Sequence, residues 1–205
     1  MPTPPRKRST SVREEIAELK KRQILDAAVD LFLENGFHGT SVDSIADALG
    51  TSKQFVYYQF KDKSAILEAI CTSGAELTLS AIDDRPGSTT SPTQRLDEFS
   101  RQLTEIVLDH GSYLAVYAGE TRSLREDDRK RILRKRAEVD DRVAELVTEG
   151  VERGEFTAED PLTSARAITG MLSFMWTWAN PATPDERNRL VDQMSTIALR
   201  IVGAG

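Results

Sequence analysis

Apolar residues recur at the spacing of an α-helix along most of the chain, and this periodicity restricts the fold more than any other feature. Stripes at intervals of three and four residues begin near Ile16 and continue to Ile201. A sustained alternation of apolar and polar residues, as in a half-buried β-strand, does not occur. The sequence therefore predicts an all-α protein of about nine helices. We place them near 14–35, 42–49, 53–59, 63–82, 94–109, 112–124, 126–153, 161–179 and 184–202.

Composition excludes several classes of protein. The 205 residues include one cysteine, Cys71, so an internal disulfide and a cysteine metal cage are excluded. The two histidines, His38 and His110, have no metal-ligating neighbour at helical spacing, and we expect no metal and no cofactor. The basic N-terminus lacks the apolar segment of a secretion signal, and the run 167–179 is too short to span a bilayer. We expect a cytoplasmic protein that does not bind membranes.

Charge is distributed unevenly along the chain. The net charge is −6, but residues 1–63 carry ten Lys and Arg against nine Asp and Glu. The acidic excess therefore belongs to the rest of the chain, which leaves room for a locally basic surface near the N-terminus. We predict a disordered basic tail at 1–13, whose cations either enter a DNA minor groove or add non-specific charge. The segment 83–93, rich in Pro, Gly, Ser and Thr, predicts a loop.

An aromatic cluster marks the third predicted helix. Four of the 13 Phe, Trp and Tyr residues fall within 55–60, after a turn that contains Gly50. Capping boxes at 40–43 and 51–54 predict the starts of two short helices, the outline of a helix-turn-helix. On a helical wheel Val56 and Phe60 face inward, whereas the other aromatic residues cannot all be buried in so small a unit. They contact either DNA or a later domain.

Residues 24–67 resemble the DNA-binding domain of the TetR family of bacterial transcriptional repressors. The matching features are a stripe of Ala27, Ala28, Leu31 and Phe32, then Gly36-Phe37 and 40–46, then Gly50, Ser52, Tyr57, Phe60, Lys63 and Leu67. The resemblance implies a helix-turn-helix domain at 14–62 and a ligand-binding and dimerisation domain at 63–205. It also implies a homodimer, formed through the last two helices, that binds a palindromic operator in double-stranded DNA.

The predicted DNA-binding surface combines helix starts, polar side chains and outward-facing rings. Glutamine can pair with an adenine edge, phenyl carbons can contact a thymine methyl, and hydroxyls and lysines can reach phosphates. Its residues are Ser41, Ser52, Lys53, Gln54, Phe55, Tyr57, Tyr58 and Lys63. Three positions depart from the family pattern: Thr51 replaces valine, Gln59 replaces histidine, and Phe55 replaces a small residue. The last departure affects which base pairs are read.

The C-terminal domain carries the candidate effector site. The predicted helix 161–179 is apolar on two sides, which indicates burial against both the core and a second surface. The second surface is a partner subunit, with or without a ligand cavity. We predict as ligand-binding residues Tyr113, Tyr117, Met171, Phe174 and Trp178. The two tyrosines either line the pocket or pack in the core.

A second resemblance, spread over short pieces of the C-terminal domain, concerns the inducer. Short pieces within 149–156, 160–161 and 170–181 are similar to TetR-type regulators of fatty-acid and steroid breakdown, which respond to acyl-CoA thioesters. It assigns the basic run 129–136 to CoA phosphates, whereas acidic neighbours favour a solvated helix face. A regulator of an aromatic or drug-like ligand and a helical binding protein without specific DNA binding stay open as alternatives. G-x-S-x-G, H-E-x-x-H and P-loop motifs are absent, so we do not expect an enzyme.

Overall fold

The computed structural model describes residues 12–82 and 90–204. Within these ranges the chain forms eight α-helices and two 3-10 turns, and it has no β-strand. The helices are α1 (Val12–Gly39), α2 (Val42–Ala48), α3 (Lys53–Gln59), α4 (Lys63–Ser80), α5 (Pro92–Glu120), α6 (Glu126–Glu152), α7 (Pro161–Ser173) and α8 (Pro184–Ile201). The 3-10 turns are Thr121–Ser123 and Phe174–Thr177. The all-α prediction is confirmed.

Backbone packing divides the chain into two compact units, Met1–Leu67 and Glu68–Gly205. The division falls inside α4, whereas the predicted domain boundary lies at the start of that helix. The predicted limits 14–62 and 63–205 stay predictions. Most of the predicted tail, and residues 83–89 of the predicted loop, lie outside the described residues.

The first unit is built by α1, α2, α3 and the start of α4 around a small apolar core. Ile24 and Phe32 from α1, Ile45 from α2 and Val56 from α3 are buried. Gly36 interrupts α1 with a φ of 70°, a conformation that a β-carbon disfavours. Phe60, which the wheel assigned to this core, is only half-buried because it follows α3 in extended backbone.

Side-chain caps begin both short helices, but each cap lies one residue later than the predicted boxes at 40–43 and 51–54. Ser41, not Thr40, caps α2: its hydroxyl accepts from the N–H of Ser44, and the Ser44 hydroxyl accepts from the N–H of Ser41. The Thr40 hydroxyl instead donates to the carbonyls of Leu31 and Gly36, which ties the turn to α1. Ser52 caps α3.

The second unit is a helical bundle in which α5 packs chiefly against α8, and α6 against α7. The predicted break between helices 94–109 and 112–124 is a bend within α5 at His110, where φ is −125°. The predicted helix 161–179 is wrong at its end, because α7 stops at Ser173 and the chain continues as a 3-10 turn. A 3-10 helix has fewer residues per turn than an α-helix, so the side chains after Ser173 point in different directions from those that a continuous α-helix predicts.

Candidate nucleic-acid interface and effector cavity

Helix α3 buries one side chain and exposes a row of others. Val56 is buried, while Tyr58 is 86% exposed and Tyr57 is 46% exposed. Gln54, one turn before Tyr58, is exposed as well. Within the first unit, α1, α2 and the start of α4 leave both tyrosine rings exposed. An amide and two aromatic hydroxyls on one exposed helix form a surface suited to another molecule.

Two serines cap the helices of this helix-turn-helix, and one lysine forms an ion pair between them. Ser41 and Ser52 hold their hydroxyls at the starts of α2 and α3 as caps. The Lys53 ammonium lies 2.9 Å from Asp43 Oδ2 and 5.8 Å from the centre of the Tyr57 ring. The hydrogen bond that Lys53 donates to Asp43 raises the pKa of Lys53. Because both partners of the ion pair are exposed, Lys53 can exchange the carboxylate for a phosphate at small cost.

Phe55 and Lys63 have contacts within the first unit. The Phe55 ring is half-buried beneath the ammonium of Lys20, at 5.7 Å. The Lys63 ammonium donates to the carbonyls of Phe37 and Thr40 at the end of α1. Lys63 therefore ties the first turn of α4 to α1, whether or not it also meets a phosphate.

The second unit contains a cavity of about 340 Å³, near the lower end of the range for small-molecule sites. Each of four helices contributes one face, with lining residues at intervals of three or four. The lining residues are Ala75 and Thr78 of α4, Leu114, Tyr117 and Ala118 of α5, Arg136, Val139 and Asp140 of α6, and Arg166, Thr169, Gly170 and Ser173 of α7. Phe174 and Trp176 of the 3-10 turn complete it.

Charged and aromatic groups share this cavity. The Thr169 hydroxyl donates to Asp140 Oδ1 at 2.7 Å, and Arg166 Nε lies 4.0 Å from Asp140 Oδ2. Burial raises the pKa of Tyr117, an effect that the positive charge of Arg136 opposes, so the phenol is neutral at physiological pH. The wall therefore offers aromatic surface together with two guanidinium groups and one carboxylate.

Two protein-family models match the sequence of this chain. Residues 24–70 match the model described as bacterial regulatory proteins, tetR family. Residues 89–202 match the model described as tetracyclin repressor-like, C-terminal domain, and this match covers more than half of the chain. The chain belongs to the TetR family. It is a helix-turn-helix transcriptional regulator.

Individual TetR-family relatives agree with this assignment. The regulator RutR of Escherichia coli strain K12 is 40% identical over 63 residues, which span 31% of this chain and only 30% of RutR. A tetR-family regulatory protein from Rhodococcus RHA1 superposes with a TM-score of 0.83 at 25% identity, over 91% of this chain and 98% of that one. AibR, crystallised with isovaleryl coenzyme A and operator DNA, superposes with a TM-score of 0.74 at 24% identity, over 87% of this chain and 97% of its own. The likeness to AibR shows the fold alone.

The predicted ligand-binding residues fall into two groups in this TetR-family structure. Tyr117 and Phe174 line the cavity. Tyr113, Met171 and Trp178 do not; Trp178 is 57% exposed and borders a separate shallow depression. The prediction placed Phe174 and Trp178 on one continuous α-helix, 161–179, and the 3-10 turn at Phe174–Thr177 turns their side chains to different surroundings.

Sequence reasoning missed most of the polar lining, and it considered Arg136 only as part of the basic run 129–136. Arg136, Asp140, Arg166 and Thr169 lie at helical spacing on α6 and α7. From the sequence alone, charged and polar residues at this spacing indicate a solvent-exposed helix face. No neighbouring residue in the sequence indicates that another helix packs against them. Trp176, which is not among the predicted ligand-binding residues, packs against the core and also lines the cavity.

Residues 12–82 and 90–204 contain no group of three His, Cys, Asp or Glu side chains arranged to hold a metal ion. No helix within the same ranges has the length and hydropathy needed to cross a bilayer.

Proposed function

We propose that this TetR-family regulator is a ligand-responsive repressor: a homodimer that binds a palindromic operator and leaves it when a small hydrophobic effector binds. The observation that carries the proposal is the exposed row on α3, formed by Gln54, Tyr57 and Tyr58, on a helix anchored by the buried Val56. A helix fixed by its inner face and polar on its outer face is suited to enter a major groove.

Within the proposed interface the side chains have different tasks. Gln54 is placed to read a base edge, because an amide pairs with adenine through both of its polar atoms. Tyr57, Tyr58 and Lys53 are assigned to phosphates or base edges, and Ser41 and Ser52 to the backbone at the helix starts. Phe55 supplies apolar contact to a thymine methyl, and Lys63 reaches a phosphate from the start of α4.

A homodimer supplies the second recognition helix that a palindrome requires. Large apolar side chains remain exposed near the C-terminus: Phe174 is 60% exposed, and Trp178 and Ile197 are exposed too. Exposed apolar side chains of this size are stabilised when a partner covers them. We assign α7, the 3-10 turn and α8 to the contact between two copies of the chain.

Helix α4 is the proposed link between effector and operator. It carries Lys63 in the first unit and Ala75 and Thr78, which line the cavity, in the second. An effector that favours one orientation of α4 would change the spacing of the two recognition helices. Effector and operator must then weaken each other's binding by the same factor.

Two classes of effector follow from different observations. The sequence resemblance to regulators of fatty-acid and steroid breakdown supports an acyl-CoA thioester, the class that AibR binds in its crystal structure. The rings of Tyr117, Phe174 and Trp176 in the cavity wall support an aromatic or drug-like ligand instead.

The experiment that tests the DNA function is selection of binding sites from a random duplex library. The wild-type protein is expected to enrich a palindrome with half-sites about one helical turn apart. Gln54→Ala should enrich a different sequence, whereas Tyr57→Ala should weaken binding to every sequence tested by gel shift. No enrichment by wild type, or identical sites for Gln54→Ala, would contradict this assignment of the DNA surface.

A further inference from the structure

The run of cations at 129–136 on α6 is largely neutralised by carboxylates. Arg129 and Lys130 pair with Glu126 on the same helix. Arg131 pairs with Asp128 and with Glu68 of α4, and Lys135 pairs with Glu76 of α4 at 2.6 Å. These cations therefore stabilise the contact between α4 and α6, and they are not arranged as a site for several phosphates.

The remaining two arginines of the run differ in their positions. Arg134 is exposed, and its Nε donates to the Lys130 carbonyl at 3.3 Å. Arg136 lines the cavity, one turn before Asp140. Among the described residues, neither guanidinium has a carboxylate within 4.0 Å.

The carboxylate of the cavity is already engaged. Asp140 accepts the Thr169 hydroxyl and faces Arg166 across the cavity wall. A cationic effector would compete with Arg166 for Asp140, whereas an anionic effector meets Arg136 directly. Transfer of an ionised group into a partly enclosed site is costly unless a partner of opposite charge is present. Arg136 supplies that partner, and its planar fork fits both oxygens of a carboxylate.

We propose that the effector is a small amphipathic carboxylate, with its anion bound to Arg136 and its apolar body between Tyr117, Leu114 and Trp176. A volume of about 340 Å³ accommodates an aryl or medium-chain body and leaves little room for a nucleotide. Among the described lining residues Arg136 is the cation without a carboxylate within 4.0 Å, and one such cation matches one negative charge better than the several charges of coenzyme A. This inference rests on the proposed effector response and narrows its chemistry.

The test compares each carboxylate with its neutral amide. The probes are 4-phenylbutyrate and octanoate, 4-phenylbutyramide and octanamide, and octanoyl-CoA. The chain has two tryptophans, so the Trp178→Phe background leaves Trp176 as the sole reporter in the cavity wall. Titration calorimetry on the unmodified chain provides a measurement independent of that substitution.

We expect at least one carboxylate to bind about tenfold more tightly than its amide. The neutral amide loses a hydrogen bond between two charged groups, and such a loss weakens binding by about this factor. Arg136→Gln should abolish this preference, and Arg136→Lys should retain part of it because the charge remains. Arg134→Gln is the matched control: it removes the other unpaired arginine of the run and should change nothing.

Several results would overturn the inference. They are equal affinities of acid and amide, an unchanged preference in Arg136→Gln, tighter binding of octanoyl-CoA than of the free acids, or no binding of either acid at millimolar concentration. A gel shift on the selected operator distinguishes failure of this inference from failure of the proposed function. Release by a neutral ligand defeats the inference alone, whereas ligand binding without any operator binding defeats the proposed function alone.

Discussion

The ammonium of Lys63 lies 4.3 Å from the centre of the Phe37 ring and donates hydrogen bonds to the carbonyl oxygens of Phe37 and Thr40. Those carbonyls belong to the end of α1 and the turn that follows it. A cation is favoured there because the last carbonyls of a helix carry partial negative charge. One side chain thus stabilises the corner from which α2 and α3 start.

Lys63→Met tests whether this lysine also contacts DNA. Loss of the charged donor should lower the free energy of unfolding by about 1–3 kcal/mol, measured by urea denaturation. If Lys63 meets a phosphate, the logarithmic dependence of operator affinity on salt should also become shallower by about one. Unchanged salt dependence with lower stability would restrict Lys63 to a structural role.

Ile197→Glu tests the proposed dimer. Ile197 is 40% exposed on α8, and a buried carboxylate at a subunit contact would be strongly unfavourable. We expect sedimentation velocity to show monomers and gel shift to show loss of operator binding. Leu133→Glu is the matched control, because Leu133 on α6 is similarly exposed, at 45%. A dimer that survives Ile197→Glu would move the contact elsewhere.

Gly150→Ala should destabilise the second unit. A β-carbon at Gly150 would lie 2.0 Å from Cδ2 of the buried Phe156, so the ring or the helix must move. We expect a loss of about 1–3 kcal/mol in thermal or urea unfolding. Gly119→Ala on α5 is the control: a β-carbon there meets no atom within 4 Å, and alanine is expected to add up to about 1 kcal/mol. Equal stability of the two variants would argue against the close packing of Phe156 on α6.

Cys71 should be unreactive in the folded protein. Burial raises the pKa of its thiol to about 12 from an ordinary 9.0, so the nucleophilic thiolate is scarce at pH 8. Ellman's reagent should label it only after unfolding in urea. Because the raised pKa belongs to the folded state, the unfolded thiol ionises first, and stability should fall as pH rises from about 9 toward 12. Fast labelling of the native protein would contradict this burial.

The helices that the sequence predicted correctly are those defined by local interactions. Val56 faces the core as its position on the wheel requires, because the direction of its side chain depends only on its place within the turns of α3. Family assignment likewise depended on a short ungapped pattern, and the matching models confirm it. The end of α7 was missed because nothing near Ser173 marks the change to a 3-10 turn.

Helical periodicity and the family were therefore determined by the sequence alone, since each rests on residues close together in the chain. Only the tertiary structure decided that Arg136 and Asp140 face a cavity while Arg134 faces solvent. All three occupy a charged stretch of α6, and their environments differ because α4, α5 and α7 enclose one side of that helix and leave the other open. Contacts between segments so distant in the chain leave no periodic signal, so packing alone separates a binding residue from a surface residue.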